Sequence, residues 1–461
     1  MPEASAHPYI PNSAPRLKQE MLQEIGVGSV DELYGAIPEQ LLLRRPLALP
    51  PAMRSELELR RHLEGMLSRN ESCKETLSFL GGGCWQHDVP AVVDEVLSRG
   101  EFVTAYYGES YTDHGKMQAL FEFASLIGEL VELDAVSQPT YDWASAAATA
   151  VCMCGRVTGR HRALVPASMS PERLAVMRGY CRPWVDLELV PFDPATGLLD
   201  TGALQAMLGD DVACVYLETP GYLGTIETQV AGIGASAHAV GAKLAVGVDP
   251  ISLGVLEAPP RYGADVVCGE VQPLGIHMHF GGGLAGFVAT PDDEAWIAEY
   301  PTFLVGMVPT VAGEYGFGEV RWERMSYVQR GESKEYGGTT QNLWAIGAAV
   351  YLSLLGPQGI AELGRGIAQR AAYAARRIGA LPGVAAPALS GPFFKEFVVD
   401  FSGTGKTVSE LNAGLRERGI YGGKDLSTEL PGLGQAALYC VTEIHTKADI
   451  DRLAQALSEV I

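Results

Sequence analysis

The chain has 461 residues, 47% of them hydrophobic and 19% charged, enough for two or three domains with separate cores. A formal charge of −21 offers no positive footprint for a phosphate backbone, so nucleic acid is excluded as the expected ligand in favour of a small molecule or a protein. No apolar run approaches the roughly 18 residues that span a bilayer, so no membrane partner is expected.

The N-terminus, Met1 to His7, has no basic block followed by an apolar one, as a signal peptide would. Eight cysteines without a Cys-x-x-Cys spacing read as buried thiols, and the expected location is cytoplasmic. Residues 1–100 read as a helical N-terminal arm. Apolar residues recur at helical spacing over Lys18–Ile25 and Glu56–Leu67, on either side of the proline-rich stretch Pro46–Pro51. Such an arm buries little by itself and is expected to wrap a neighbouring subunit.

Residues 101–345 read as a large α/β domain. Two long helices, Lys116–Leu130 and the alanine-rich Ala144–Thr158, precede apolar runs at Ala163–Pro166, Leu187–Phe192, Val212–Leu217, Leu244–Val248, Asp265–Cys268 and Gly286–Ala289. Helical stretches such as Pro171–Tyr180 and Gly232–Val240 alternate with them. Strands that are apolar throughout imply a mostly parallel sheet with helices on both faces. Residues 346–461 begin in a helical region, Trp344–Leu355 and then Gly359–Arg377, and end in a small α/β domain. Its strands are Lys395–Phe401 and Ala436–Val441, each followed by a helix, Val408–Arg418 and Lys447–Val460.

The chemistry centres on one strand end. The run Leu244–Val248 enters Asp249-Pro250, the next strand ends at Glu270, and Gln272 follows. A lone strand-end aspartate most simply caps the following turn. In pyridoxal-phosphate enzymes of the aspartate aminotransferase-like fold, such an aspartate pairs with the pyridinium nitrogen and a lysine after the next strand forms the Schiff base. Here no lysine lies between Lys243 and Lys334, and the amide of Gln272 is not a usable nucleophile. Lys334 could act as a displaced Schiff-base residue, a reading that its distance in sequence weakens.

Three other stretches invite chemistry. Tyr106, Glu109, Tyr111, Asp113 and His114 make a dense polar and aromatic loop before a helix; Thr112 or Asp113 could cap that helix, which leaves His114 unexplained. Thr339 and Thr340 follow Gly337-Gly338 ahead of a helix, a setting for a phosphate contact or an ordinary helix start. His277 and His279, at i, i+2 with no third ligand, read as packing or turn residues, so no metal site is expected. Gly81–Gly83 lacks the lysine and hydroxyl of a nucleotide loop and reads as a turn.

Along nearly its whole length the chain resembles subunit 1 of the two-subunit glycine decarboxylase, the P-protein of the glycine cleavage system. The resemblance rests on His7–Asn12 (HPYIPN), Leu47–Pro51, Glu58–Leu63 (ELRRHL), Glu101–Tyr106 (EFVTAY) and Gln118–Phe123 (QALFEF). Tyr141-Asp142, Arg156–Arg160 (RVTGR), Asp249–Glu257 (DPISLGVLE) and Gly281-Gly282 continue it. Tyr351–Pro357 (YLSLLGP), Pro392–Phe397 (PFFKEF) and Val441–Thr446 (VTEIHT) complete it.

It implies pyridoxal-phosphate-dependent fold type I with a small C-terminal domain, and a tetramer of two unlike subunits. The coenzyme is then expected on a lysine-bearing partner of similar fold, with Asp249 and Gln272 as vestigial coenzyme positions. It also implies glycine decarboxylation with transfer of the aminomethyl group to the lipoyl arm of H-protein. By family position, the loop Tyr106–His114 is lent to the partner's active site. Thr339 and Thr340, as an anion position ahead of a helix, could then reach the coenzyme phosphate across the interface. The chain departs from the family over 107–115 and 331–340, where two loops expected near the substrate are rewritten. A paralogue for another amino acid or acceptor, and a non-catalytic stabilising subunit, therefore stand as alternatives.

Overall fold

The computed structural model describes residue 10 and residues 14–45, 47–103, 114–302, 304–320, 334 and 340–461. The chain divides into two compact units, Met1–Glu71 and Ser72–Ile461. The first holds the helices Pro15–Ile25 and Glu56–Leu67. Proline at the first helical position starts one helix, and Gly26 at φ 84° closes it by donating to the carbonyls of Leu22 and Gln23. Among the described residues of this unit only Leu22 is buried.

The arm is shorter than the sequence suggests. Its boundary falls after Glu71 rather than near residue 100, because the strand Leu77–Ser78 pairs in parallel with Ile420–Tyr421 of the C-terminal domain. Val93, in the helix Ala91–Leu97, is also fully buried.

The second unit is built on a seven-stranded sheet. Its spatial order is Ala135–Val136, Gly286–Thr290, Val266–Glu270, Lys243–Val248, Val212–Glu218, Arg162–Pro166 and Asp186–Val190. The last five are mutually parallel, each joined to the next in sequence by a crossover. Gly286–Thr290 runs antiparallel to Val266–Glu270. The chain between those two strands contains only a single helical turn, so it returns directly and cannot make the long crossover that a parallel neighbour needs.

One face of the sheet is covered by the helix Trp143–Thr158, buried from Trp143 to Gly155 and opened by a reciprocal cap between Asp142 and Ser145. Its alanines permit the close approach that bulkier side chains would block. The helices His114–Val131 and Asn342–Gly379 supply hydrophobic core at Phe123, Ile127, Ala348 and Leu352. Asn342–Gly379 is long and apolar enough to cross a membrane by composition alone. It is instead interrupted at Gly356 (φ 61°) and Pro357, where two helices were expected, and one side packs into the core.

The C-terminal part of this unit, called the C-terminal domain for brevity, carries a three-stranded antiparallel sheet, Glu396–Asp400, Ala436–Cys440 and Lys424–Asp425. The helices Val408–Arg416 and Lys447–Val460 cover it, each started by a capping box. Its core gathers Phe79, Phe397, Leu411, Tyr439 and Leu453.

Candidate functional site

Parallel strands of an open sheet present ligand positions at their carboxyl ends. Three of them here end in buried carboxylates: Glu218, Asp249 and Glu270, at 6%, 3% and 1% exposure. Each is committed to a partner within the chain.

Asp249 does cap the following turn, accepting from the Ile251 N–H at 3.1 Å through Oδ1. Its other oxygen, Oδ2, lies 2.8 Å from the Lys395 Nζ, and both side chains are almost wholly buried. Lys395 comes from the C-terminal domain. Its ammonium sits 3.5 Å above the Trp85 ring and 3.3 Å from His87 Nε2. The position that would face a pyridinium nitrogen is thus taken by a resident cation.

Gln272 is fully buried and its amide makes three hydrogen bonds. Oε1 accepts from the Trp85 N–H at 3.0 Å, while Nε2 donates to the carbonyls of Trp85 and Ile276, both at 2.9 Å. The carboxamide therefore clasps the backbone of Trp85 by both its donor and its acceptor. An ammonium has only donors and could not do the same.

Glu270 accepts from the backbone N–H groups of Trp143, Gln272 and Ala285 at 3.1, 3.1 and 2.9 Å. Burial pushes its carboxyl up to about 8, against the pull of those three donors. Trp143 opens a helix, whose N-terminus is an anion position by its free N–H groups and dipole. Here Glu270 takes one of those groups and Asp142 another, through Ser145 N at 2.7 Å. A phosphate would meet the carboxyl groups of Glu270 and Asp142 in its place.

Beside these residues, Arg173 donates from Nη1 to Glu218 Oε2 at 2.6 Å and stacks 3.9 Å over the Trp143 ring. The Tyr216 hydroxyl donates to the other Glu218 oxygen at 2.9 Å, and burial pushes that phenol well above its ordinary range. The cavity bounded by Gly83, Trp85, Trp143, Arg173, Asp249 and Lys395 has a volume of about 10 Å³, space for a single water molecule. These residues do not fit pyridoxal phosphate. A carboxamide stands two residues past the strand end, the one amine of the cluster is paired to the aspartate, carboxyl groups take the helix N-terminus, and little free space remains.

The sequence-singled residues fall in different places. Tyr106, Glu109, Tyr111 and Asp113 lie outside the described residues, as does the side chain of His114, whose backbone starts the helix His114–Val131. Thr339 is also outside them. Thr340 donates to Gln138 Oε1 at 3.2 Å and lines a small cavity with Thr140, Tyr141 and Ser145 rather than the Asp249 cluster. Lys334 is exposed and no part of that buried cluster. His277 faces Asp94 at 3.0 Å and His279 stacks on Trp344. Among the described residues no group of three side chains suits a metal.

Sequence reasoning missed Trp85, Arg173, Glu218 and Lys395. Two signals were present. Glu218 ends an apolar strand just as Asp249 does, and Lys395-Glu396 is a charged pair at the head of the apolar strand Phe397–Val399.

Comparison with known proteins gives one consistent result. The glycine cleavage system P-protein family matches residues 7–457. A probable glycine dehydrogenase (decarboxylating) subunit 1 of Staphylothermus marinus is 37% identical over 465 residues, 99% of this chain and 98% of that protein. A probable subunit 1 of Geobacillus kaustophilus is 38% identical over 98% of this chain and 99% of its own length. A crystal structure of glycine decarboxylase (P-protein) of the glycine cleavage system, in inhibitor-bound form, superposes with a TM-score of 0.85. It shares 33% identity, covering 99% of this chain and 100% of that one. The sphingosine-1-phosphate lyase of Burkholderia pseudomallei, 17% identical over 93% of this chain and 94% of its own, superposes with a TM-score of 0.63. The fold is that of pyridoxal-phosphate-dependent fold type I.

Proposed function

This chain belongs to the glycine cleavage system P-protein family, and from that premise we propose that it is the coenzyme-free first subunit of a glycine decarboxylase. A lysine-bearing partner of the same fold carries the pyridoxal phosphate, which, when bound there, serves as the electron sink for decarboxylation. The present chain completes the active site from the side, in a tetramer of two unlike subunits, and the aminomethyl group passes to the lipoyl arm of H-protein. The loop holding Tyr106, Glu109, Tyr111, Asp113 and His114 supplies substrate-facing groups, and Thr339 and Thr340 approach the coenzyme phosphate from outside. All eight cysteines are unpaired, which suits a reducing compartment and supports a cytoplasmic location.

The observation that carries this reading is the state of Gln272. Where the fold needs a nucleophilic amine, a buried carboxamide is fully engaged with the backbone of Trp85 and Ile276. A catalytic lysine cannot be supplied from within that cluster, because its one lysine is paired to Asp249.

The test is glycine-dependent exchange of labelled carbon dioxide by the purified chain, by its lysine-bearing homologue, and by the two together. Activity is expected only in the mixture. Turnover by this chain alone refutes the proposal.

A second reading, a paralogue acting on another amino acid, is favoured by the rewritten segments 107–115 and 331–340. Running the mixture with alanine and serine beside glycine separates the two. The His114→Ala and Glu109→Ala variants, assembled with the partner, are expected to lose rate by about 100-fold where the loop serves the active site. A purely stabilising subunit leaves the rate unchanged.

A further inference from the structure

The segment Ser78–Asp88 is held between the C-terminal domain and the large domain, and gripped from both sides. On the C-terminal side, Cys440 N donates to the Phe79 carbonyl at 2.9 Å, Thr442 Oγ1 to the Gln86 carbonyl at 2.6 Å, and Asp88 N to Glu443 at 2.7 Å. Gly82 N donates to Glu396 at 2.6 Å, and His87 Nδ1 lies 2.8 Å from Glu443. On the large-domain side the grip is the Gln272 amide on the Trp85 backbone. Lys395 then crosses from the C-terminal domain to Asp249, passing over the Trp85 ring.

Three internal groups therefore fill this strand-end site. A cation meets Asp249, an aromatic ring lies beside it, and the Glu270 carboxyl group takes the helix N-terminus at Trp143. Nothing in a merely decayed site requires this. A lysine lost by drift leaves its surroundings unpaired, whereas the residue in the lysine's place here is one whose donor and acceptor match a peptide group, and the neighbouring cavity between Trp85, Asp249 and Lys395 retains only about 10 Å³.

We propose that these residues form an internal surrogate for the coenzyme. Trp85 stands for the ring, Lys395 for the pyridinium nitrogen and Glu270 for the phosphate. Gln272 is the positioning residue that fastens the surrogate, so that the C-terminal domain stays clamped to the large domain without any ligand. The inference rests on the coenzyme-free reading above and adds to it that the site is filled and structural. In the assembled enzyme this chain then offers its partner one fixed surface, and its domain joint does not respond to substrate or coenzyme.

The experiment uses the full-length chain and its Gln272→Lys variant, which restores the missing amine. Each is incubated with pyridoxal phosphate, reduced with borohydride and mapped by peptide mass, and each is followed by hydrogen–deuterium exchange. The variant is expected to form no adduct at position 272, because Trp85 and Lys395 still fill the space. The Phe79 and Cys440 amides are expected to exchange at least about tenfold faster once the clasp on Trp85 is lost. An adduct at position 272 in the variant overturns the surrogate, since it means the space was open. Unchanged exchange overturns the clamp. An adduct on the unsubstituted chain is a different outcome, and refutes the coenzyme-free reading on which the surrogate rests.

Discussion

Replacing Lys395 with methionine keeps the length and most of the apolar stem but deletes the charge at the domain joint. The Lys395 and Asp249 side chains are 2% and 4% exposed and 2.8 Å apart. At an effective dielectric of about 20, unit charges at that separation attract by roughly 6 kcal/mol. Desolvation offsets much of this in the intact pair, but removing one partner leaves Asp249 buried and uncompensated, which costs about 3–5 kcal/mol. Losing the cation over the Trp85 ring moves the effect towards the upper end. A domain of ordinary stability, about 5–15 kcal/mol, survives with little to spare.

Urea unfolding followed by far-ultraviolet circular dichroism reads the loss. The double variant Lys395→Met with Asp249→Asn is expected to recover at least half of it, since the asparagine keeps the acceptor for the Ile251 N–H without the charge. A loss below about 1 kcal/mol would match an exposed pair and refute the assignment of Lys395 to the joint. Failure of the double variant to recover anything would point to packing damage instead of charge pairing.

Gln272→Met leaves the Trp85 N–H and carbonyl without partners inside the protein, and each orphaned buried group costs about 1–3 kcal/mol; unfolding midpoints in urea should fall accordingly. Trp85→Gly opens a ring-sized cavity with a stability loss of about 3–5 kcal/mol, and added indole is expected to raise its melting temperature while leaving the unsubstituted chain unaffected. Burial opposes ionisation of Glu443, but the charge and hydrogen bond of His87, with backbone donors, hold its carboxyl at about 2 instead of 4.5. A depressed carboxyl stabilises the fold above its ordinary value and loses that contribution as pH falls through the folded one. Acid unfolding should therefore draw on Glu443 between about pH 4.5 and 2, and His87→Gln should move its midpoint upward, as measured by circular dichroism against pH.

Much of this molecule can be read from its sequence because the signals are local. The five parallel strands, the capped helices and the strand-end Asp249 all follow from apolar runs, turn residues and caps within a few positions of one another. Gln272 was legible for the same reason, as an amide two residues past a strand end. The partners of these residues were not legible, because they come from elsewhere in the chain. Trp85 lies in a stretch whose glycines read as a turn, and Lys395 directly before a strand at the far end of the chain, so neither pairing leaves a periodic trace. The antiparallel course of Gly286–Thr290 was missed because an apolar strand looks alike in either direction; only the short return before it carries the sign.

The most direct measurement is the place of the coenzyme in the assembled enzyme. The two unlike subunits are combined with pyridoxal phosphate, fixed by reduction, separated, and each assayed for bound pyridoxyl groups. The expected result is that the label resides wholly on the lysine-bearing partner. Stoichiometric label on any lysine of the present chain would contradict it.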